Sequence, residues 1–213
     1  MVDVLLKVAR GELGVKENPA NSNKVKYNDW YYGRPVSGSA YPWCSVFVTW
    51  CFYHAGMLDL AFGSLNEARK AVAEGARNWK VLAENKKQWV TSGYQPGDVV
   101  VFDLDGNGSI DHVGIVELVT DQGDLFCIEG NTAVGNDSNG GEVMRRQRST
   151  KLIAGAFRPA YPKSAEEITV DNAIADGVIT ERAHWLGVLT GTIKPIPEYI
   201  KTVFDRYHVK VKK

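Results

Sequence analysis

The chain has 213 residues, enough for one full domain and a small additional unit. Its 25 basic and 25 acidic residues give a formal net charge of zero, so no overall field favours nucleic acid or an anionic membrane surface as the main partner. Three cysteines, an odd and small number, do not make a disulfide framework, and we expect the chain to fold in a reducing cytoplasm.

The N-terminal segment predicts an amphipathic helix. Asp3, Lys7 and Arg10 interrupt its apolar residues and no small-residue cleavage site follows, so we expect no signal peptide. No apolar run approaches the length of a membrane span, and we expect no membrane insertion. The apolar residues of segment 2–15 that fall near one helical face are Val4, Leu5, Val8, Leu13 and Val15, and the helix is expected to end around Gly14.

Residues 16–38 lack regular periodicity and are rich in Asn, Gly and Tyr. Within them Tyr27, Trp30, Tyr31 and Tyr32 form a dense aromatic cluster. Aromatic side chains serve both in cores and in the walls of binding grooves. The cluster is therefore either a flap packed on the core or the wall of a groove for a sugar or peptide.

Cys44 is predicted to lie in the first turn of a buried helix. Pro42 favours extended backbone before it, and apolar residues then recur at helical spacing until Gly56 ends the helix. Unpaired amides and the helix dipole stabilise an anion at a helix start, so a thiol there is a candidate nucleophile. The alternative is that Cys44 is a small core residue, as we expect for Cys51 and Cys127.

The chain then changes from helical to strand patterns. Residues 64–76 predict a helix with Ser64 and Glu67 as its capping box, and residues 80–91 are ambiguous. Short β-branched and aromatic runs separated by Gly, Asp and Asn turns follow, so we predict an α+β domain over residues 1–162. The predicted strands are Val99–Phe102, Val113–Val119, Leu125–Ile128 and Ile153–Phe157, with a further strand over Glu142–Arg148.

Residues 163–213 predict a small helical segment behind a polar linker at 163–167. One helix is expected to end at Gly177, a second to be capped by Thr180, and a third to open at Pro195 or Pro197. Few apolar side chains make a marginal core, so we expect this segment to dock on the first domain or to associate with copies of itself.

His112 is the histidine best placed to act on a thiol. It opens a predicted strand after an Asp-rich turn, where a side chain can project from the sheet end towards a helix start. Glu129 and Asn131 stand at the end of the next strand, and either can bind the second imidazole nitrogen and fix its tautomer. His54 lies about 15 Å along the Cys44 helix, too far to share its proton. The remaining histidines are interpreted as surface or packing residues: His184 and His208.

Four ordered sequence blocks surround these residues. They are Tyr-Pro-Trp-Cys-Ser-Val-Phe-Val-Thr-Trp, Gln-Pro-Gly-Asp-Val-Val-Val-Phe, Asp-His-Val-Gly-Ile-Val-Glu and Ile-Glu-Gly-Asn-Thr. Together they resemble the CHAP domain (cysteine, histidine-dependent amidohydrolase/peptidase), over roughly residues 1–160. The resemblance implies a papain-like α+β fold and hydrolysis of amide bonds in bacterial peptidoglycan.

The resemblance also implies a role for each site residue. Cys44 is the expected nucleophile and His112 the general base, while Glu129 orients His112 and Asn131 polarises or positions the site. No cofactor is required for this chemistry. The aromatic residues that we expect to contact peptidoglycan are Tyr41, Trp43, Trp30 and Tyr31.

The short chain with its appended C-terminal segment looks like a bacteriophage endolysin, made in the host cytoplasm and acting on the cell wall after release. Whether it is an N-acetylmuramoyl-L-alanine amidase or an endopeptidase stays open. One alternative is a catalytically inactive wall-binding or assembly protein. Another is a cysteine peptidase or acyltransferase of related fold that acts on a different substrate.

The loop before His112 matches the first half of a calcium-binding loop. Its candidate ligands recur at alternate positions, but Gly114 stands where an EF-hand has its bidentate Glu. The loop is therefore either a plain polar turn or a site for a structural Ca²⁺ that braces the approach to His112. The candidate ligands are Asp103, Asp105, Asn107, Ser109 and Asp111.

Overall fold

A computed structural model of the chain describes residues 1–71, 73–177 and 179–190. The chain divides into two compact units, Met1–Tyr161 and Pro162–Lys213. In the first unit, helices precede and cover an antiparallel sheet, so the predicted α+β class is confirmed.

The sheet of the first unit has six strands in the order β1-β6-β2-β3-β4-β5, and all neighbours are antiparallel. Strands β2 to β5 form a meander, and β6 returns to pair with the free edge of β2. All the strands predicted from the sequence are present, and β4 extends four residues beyond its predicted end. The strands are β1 Trp89–Val90, β2 Val99–Phe102, β3 His112–Val119, β4 Leu125–Thr132, β5 Glu142–Arg148 and β6 Ile153–Phe157.

Alternation of side chains gives the sheet two buried faces. Val99 and Val101 of β2 pack into the main core with the helices. Val100 and Phe102, which point the other way, belong to a smaller second core. Both faces of β2 are therefore apolar, which explains its uninterrupted Val-Val-Val-Phe sequence.

Helix α3 is the centre of the main core. It contacts α1, α2, α4, β3 and β4, and every residue from Cys44 to Thr49 is buried. A helix that is apolar on all sides is expected in such a position. The helices of the first unit are α1 Val2–Gly11, α2 Lys26–Tyr32, α3 Cys44–His54, α4 Leu58–Ala61, α5 Leu65–Lys70 and α6 Ala76–Asn85.

Several predicted helix boundaries were wrong. α1 ends at Gly11, and its buried face carries Leu6 and Ala9, while Val4 is half exposed. α2 lies in a segment without regular periodicity, because its seven residues are too few to show a helical period and are mostly aromatic. α5 ends at Lys70, although Ser64 does accept a hydrogen bond from the Glu67 amide, as predicted.

The described part of the second unit contains two helices, α7 Ala165–Ala175 and α8 Arg182–Leu189, with a small apolar core of their own. Residues 163–167 are not simply a linker, because Ser164 and Glu167 form a reciprocal capping box at the start of α7. The third predicted helix, and His208 with it, lies outside the described residues. The expected docking or self-association of this unit stays a prediction.

None of the helices in the described ranges is both long enough and apolar enough to cross a lipid bilayer.

Candidate active site

Cys44 is the first residue of α3, as predicted. The preceding residue, Trp43, supplies no side-chain hydrogen bond to cap the helix. Helix geometry leaves the first-turn amides without intrahelical carbonyl partners, so these N–H groups are directed at the region around the Cys44 thiol. They can stabilise negative charge on sulfur or on a reacting oxygen.

Polar contacts from α6 and the preceding turn hold the first turn of α3. Ser45 is fully buried, and its hydroxyl donates to the carbonyl of Ala73. The indole nitrogen of Trp79 in turn donates to Ser45 Oγ over 2.7 Å. Because each buried polar atom has a partner, the turn that carries Cys44 is held in one position.

Strand β4 lies directly against the start of α3 because residue 130 is glycine. A Cβ at Gly130 would lie 2.6 Å from Cβ of Phe47 and 2.8 Å from the Trp43 ring. These distances are below any normal carbon–carbon contact, so only glycine allows this approach. Gly130 stands between Glu129 and Asn131, and the close packing therefore brings both beside the helix that carries Cys44.

His112 is the first residue of β3 and is completely buried. Its ring stacks on Phe102 of β2, with centroids 5.9 Å apart and planes inclined by 29°. Nε2 of His112 lies 2.9 Å from Oε2 of Glu129. Nδ1 has no hydrogen-bond partner of standard geometry among the described residues, and Cys44 is a neighbouring side chain that acts on the pKa of the ring. The imidazole is therefore placed between a carboxylate and the thiol.

Glu129 reaches His112 across the surface of β3. The residue opposite it is Gly114, where a Cβ would lie only 2.7 Å from Cγ of Glu129. The missing side chain at Gly114 leaves the space through which the carboxylate extends. Glu129 is fully buried, like His112, so water does not screen the electrostatic interaction between them.

The protonation of His112 is set by competing effects. Burial alone would lower the pKa of His112, but the interaction with the Cys44 side chain and the hydrogen bond with Glu129, together with their negative charge, outweigh burial and raise the pKa to about 9. Burial would also raise the pKa of Glu129, yet hydrogen bonds from Arg148 and His112 outweigh it and lower that pKa. The pair therefore favours an imidazolium beside an ionised carboxylate at neutral pH.

Asn131 lies at the irregularity where the pairing of β4 with β5 shifts register. Its φ of 57° is left-handed, a conformation that Asn adopts more readily than most residues. Its Nδ2 donates to Oδ1 of Asn139 over 3.1 Å, while its Oδ1 is buried without a partner. The role of Asn131 in polarising or positioning the site stays a prediction.

Arg148, in β5, is a member of this cluster that was not foreseen from the sequence. It is 3% exposed, and its guanidinium donates to both carboxylate oxygens of Glu129, from Nε over 2.9 Å and from Nη2 over 2.6 Å. The signal for it is weak, because Glu142–Arg148 contains three arginines, which are distributed over both faces of the strand. Only their burial in the folded structure distinguishes them, since Arg145 is exposed and Arg148 is buried.

The predicted substrate contacts divide into two groups. Trp30 and Tyr41 are partly exposed and can meet a ligand. Trp43 and Tyr31 are buried at 0% and 2% exposure, so the prediction that they contact substrate is corrected. Their polar atoms are used inside the fold, since Trp43 Nε1 donates to Glu17 over 2.8 Å and the Tyr31 hydroxyl donates to Glu74.

The Asp-rich loop brings three carboxylates together. One oxygen each from Asp103, Asp105 and Asp111 lies within 4.8 Å of the others. Asn107 and Ser109 are in the same turn, where the Ser109 amide donates to Asn107 Oδ1 over 2.8 Å. The carboxylates also accept backbone amides of the loop, as at Gly108, so they stabilise the turn by themselves. Calcium binding at this loop stays a prediction.

The other two cysteines lie in the core. Cys51 and Cys127 are fully buried, and burial raises the pKa of both thiols well above the usual range. His54 lies at the far end of α3, where its ring contacts Trp50 at 4.0 Å between centroids. His184 is exposed in the second unit.

The fold and this cluster define the class of protein: an α+β domain with a thiol at a helix start and a buried imidazole–carboxylate pair beside it. Residues 36–131 match the family model of the CHAP domain. Over this range the chain resembles the CHAP domain, the type of domain found in cysteine- and histidine-dependent amidohydrolases and peptidases, and the predicted resemblance is confirmed there. The matched range contains Cys44 and His112, ends at Asn131 and does not reach Arg148. Comparisons with curated proteins and with solved structures gave no match.

Proposed function

We propose that this protein is a peptidoglycan hydrolase that cleaves an amide bond of the bacterial cell wall through the Cys44 thiolate. The observation that carries the proposal is the placement of His112 between Cys44 and the buried carboxylate of Glu129. A cysteine activated by an oriented imidazole is the arrangement used for acyl transfer. The CHAP domain match supports peptidoglycan as the substrate.

Acylation is the first half of the proposed reaction. Sγ of Cys44 attacks the carbonyl carbon of the substrate amide, and backbone N–H groups at the start of α3 stabilise the resulting oxyanion. The protonated His112 then donates its Nδ1 proton to the leaving nitrogen. The C–N bond breaks, a free amine leaves, and the acyl group remains on Cys44 as a thioester.

Deacylation returns the enzyme to its starting state. Neutral His112 takes a proton from water, and the hydroxide attacks the thioester carbonyl. The C–S bond breaks to give a carboxylic acid and the Cys44 thiolate, paired again with imidazolium. Throughout both halves, Glu129 keeps Nε2 of His112 protonated and so directs Nδ1 at the thiol.

Within this activity we propose an endolysin-like role, in which the enzyme reaches the wall after release from the host cytoplasm and cuts either the N-acetylmuramoyl–L-alanine amide or a bond of the stem peptide or cross-bridge. Trp30 and Tyr41 are the proposed aromatic contacts with substrate. The second unit, from Pro162, is proposed to bind the wall or to self-associate.

The proposal is tested by incubating the full chain with purified peptidoglycan from several bacteria. Turbidity and the mass of soluble fragments are measured, with Cys44→Ala as the inactive variant and Cys51→Ala as the matched control. We expect wild-type and Cys51→Ala proteins to release new amines and Cys44→Ala to release none. An amidase frees the L-alanine amine, whereas an endopeptidase leaves that linkage intact. Undiminished cleavage by Cys44→Ala, or no cleavage of any wall by the wild type, would overturn the proposal.

A further inference from the structure

We propose that Arg148 is a positioning residue of this active site, which holds the Glu129 carboxylate in the orientation that pairs with His112. The inference rests on the function proposed above in that His112 is taken to act on Cys44. Arg148 lies outside the range that matches the CHAP domain model, so that match does not assign it a role.

Arg148 binds Glu129 through two parallel hydrogen bonds. Nε donates to Oε1 over 2.9 Å and Nη2 donates to Oε2 over 2.6 Å. Oε2 is also the oxygen that lies 2.9 Å from Nε2 of His112. A planar fork that occupies both oxygens fixes the rotation of the carboxylate, which a single hydrogen bond does not do. Arg148 therefore fixes the orientation in which the Glu129 carboxylate meets His112.

The guanidinium itself is held from two further sides. Nη1 lies 3.2 Å from Oδ1 of Asp137, in the turn that joins β4 to β5. The guanidinium carbon lies 5.5 Å from the centre of the Phe102 ring, on which His112 also stacks. The Phe102 ring therefore contacts both Arg148 and His112. Movement of the arginine would disturb the contacts of the imidazole with Phe102 and with Glu129.

The positive charge of Arg148 also compensates the negative charge of the buried Glu129 carboxylate. Glu129 is fully buried, and an ionised carboxylate in such surroundings needs compensating charge and hydrogen bonds. The charged or titratable groups around it are His112 on β3, Arg148 on β5 and Cys127 on β4, with Cys44 beyond His112 and Asp137 beyond Arg148. Only His112 and Arg148 among these donate hydrogen bonds to Glu129. When His112 gives up its proton during the reaction, Arg148 is the remaining cation that keeps the carboxylate ionised.

The experiment measures how fast iodoacetamide alkylates Cys44 as a function of pH, by mass spectrometry of the Cys44 peptide. The rate reports the reactive thiolate paired with imidazolium and requires no peptidoglycan. The variants are Arg148→Met, Arg148→Lys and Glu129→Gln. Arg145→Met is the matched control, because Arg145 lies on the same strand but pairs with Glu117. Circular dichroism and melting temperature check the fold of each variant.

We expect Arg148→Met to move the acid limb of the alkylation profile to higher pH by about one unit, because Glu129 is then protonated more easily. Arg148→Lys keeps the charge but not the fork, so its profile should lie between the wild type and Arg148→Met. Arg145→Met should give the wild-type profile. An unchanged profile in folded Arg148→Met would overturn the proposal. If Arg148→Met does not fold, a wild-type alkylation profile in Arg148→Lys would overturn the proposal.

A double-variant comparison separates positioning from general support of the fold. If Arg148 acts through Glu129, Glu129→Gln alone should slow alkylation at neutral pH by about tenfold, and adding Arg148→Met should change the rate less than twofold further. Removing both charges together also avoids leaving one of them buried and unpaired. Equal effects of Arg148→Met with and without Glu129 would overturn the proposal. Failure of the wild type to cleave peptidoglycan, with these profiles as expected, would reject the proposed function alone.

Discussion

Nε2 of His112 lies 2.9 Å from Oε2 of Glu129, and neither side chain is exposed to solvent. Burial opposes a charge on this ring, yet the Cys44 side chain and the contact with Glu129 outweigh burial and raise the pKa of His112 to about 9. In the proposed mechanism the leaving nitrogen takes its proton from His112. Cleavage is therefore tied to the protonated state of this imidazole.

We predict that activity is retained through neutral pH and falls as pH rises through about 9, where His112 loses its proton. The stability of the fold should also depend on pH through the protonation of His112. Because the folded pKa is raised above the usual 6.5, the contribution of His112 to stability is full below pH 6.5 and is lost as pH rises towards 9. Measurements of kcat/KM on labelled peptidoglycan and of Tm between pH 6 and 10 check both. The difference in Tm between wild type and His112→Gln should therefore fall as pH rises. An increase of this difference with pH would contradict the prediction.

The three cysteines are predicted to differ in reactivity. Cys44 lies beside His112 at a helix start, whereas burial raises the pKa of Cys51 and Cys127 well above the usual range. Iodoacetamide at neutral pH should therefore modify Cys44 first and abolish activity in proportion to labelling. Peptide mass spectrometry over time checks the order, with Cys51→Ala as the control that should inactivate at the wild-type rate. Equal labelling of all three with activity retained would contradict the prediction.

The polar residues of the site were predictable because each stands at a local signal. Pro42 and Gly56 bracket the helix of Cys44, and His112 and Glu129 lie on strands whose β-branched and apolar runs are evident in the sequence. Arg148 was not predictable in the same way. Its strand carries arginines on both faces, and the one that reaches Glu129 is selected only by tertiary packing.

The same distinction holds for the packing around the site. Gly114 and Gly130 matter because of atoms from other elements that approach them, which no local pattern reveals. Trp43, the neighbour of Cys44 in the sequence, is one of the aromatic residues expected to contact substrate. The helix turn directs it inward instead, where its ring packs on Tyr27 with centroids 5.4 Å apart.

Gly114→Ala is predicted to impair the site more than the fold. The added Cβ would lie 2.7 Å from Cγ of Glu129 and would push its side chain away from His112. We expect kcat/KM to fall at least tenfold and stability to fall by about 1–3 kcal/mol, as for other overpacked sites. Gly11→Ala is the control, because nothing lies within 4 Å of a Cβ there. Denaturant unfolding and wall cleavage check the pair, and wild-type kcat/KM in Gly114→Ala would contradict the prediction.

The carboxylate cluster at Asp103, Asp105 and Asp111 allows the predicted calcium site to be tested directly. If Ca²⁺ binds there, it should raise Tm in a concentration-dependent way, because binding to the folded state alone stabilises it. Asp105→Asn should weaken the effect, and Asp121→Asn, outside the cluster, should not. Calorimetric titration of the metal-free protein measures binding without reference to activity. No heat of binding and an unchanged Tm at millimolar Ca²⁺ would leave the loop as a plain turn.

Glu17 is predicted to stabilise the start of α3 through Trp43. Its Oε1 accepts from Trp43 Nε1 and its Oε2 accepts from the Ser22 amide, both over 2.8 Å, and the carboxylate is largely buried. Glu17→Ala leaves the buried indole N–H without a partner, so we expect a loss of about 1–3 kcal/mol in the free energy of unfolding. Trp43→Phe removes the donor and should make the further loss on Glu17→Ala smaller, since only the Ser22 contact then remains. Urea unfolding of the four proteins measures this coupling. Strictly additive losses would mean that the Glu17–Trp43 contact contributes nothing to holding the turn that carries Cys44.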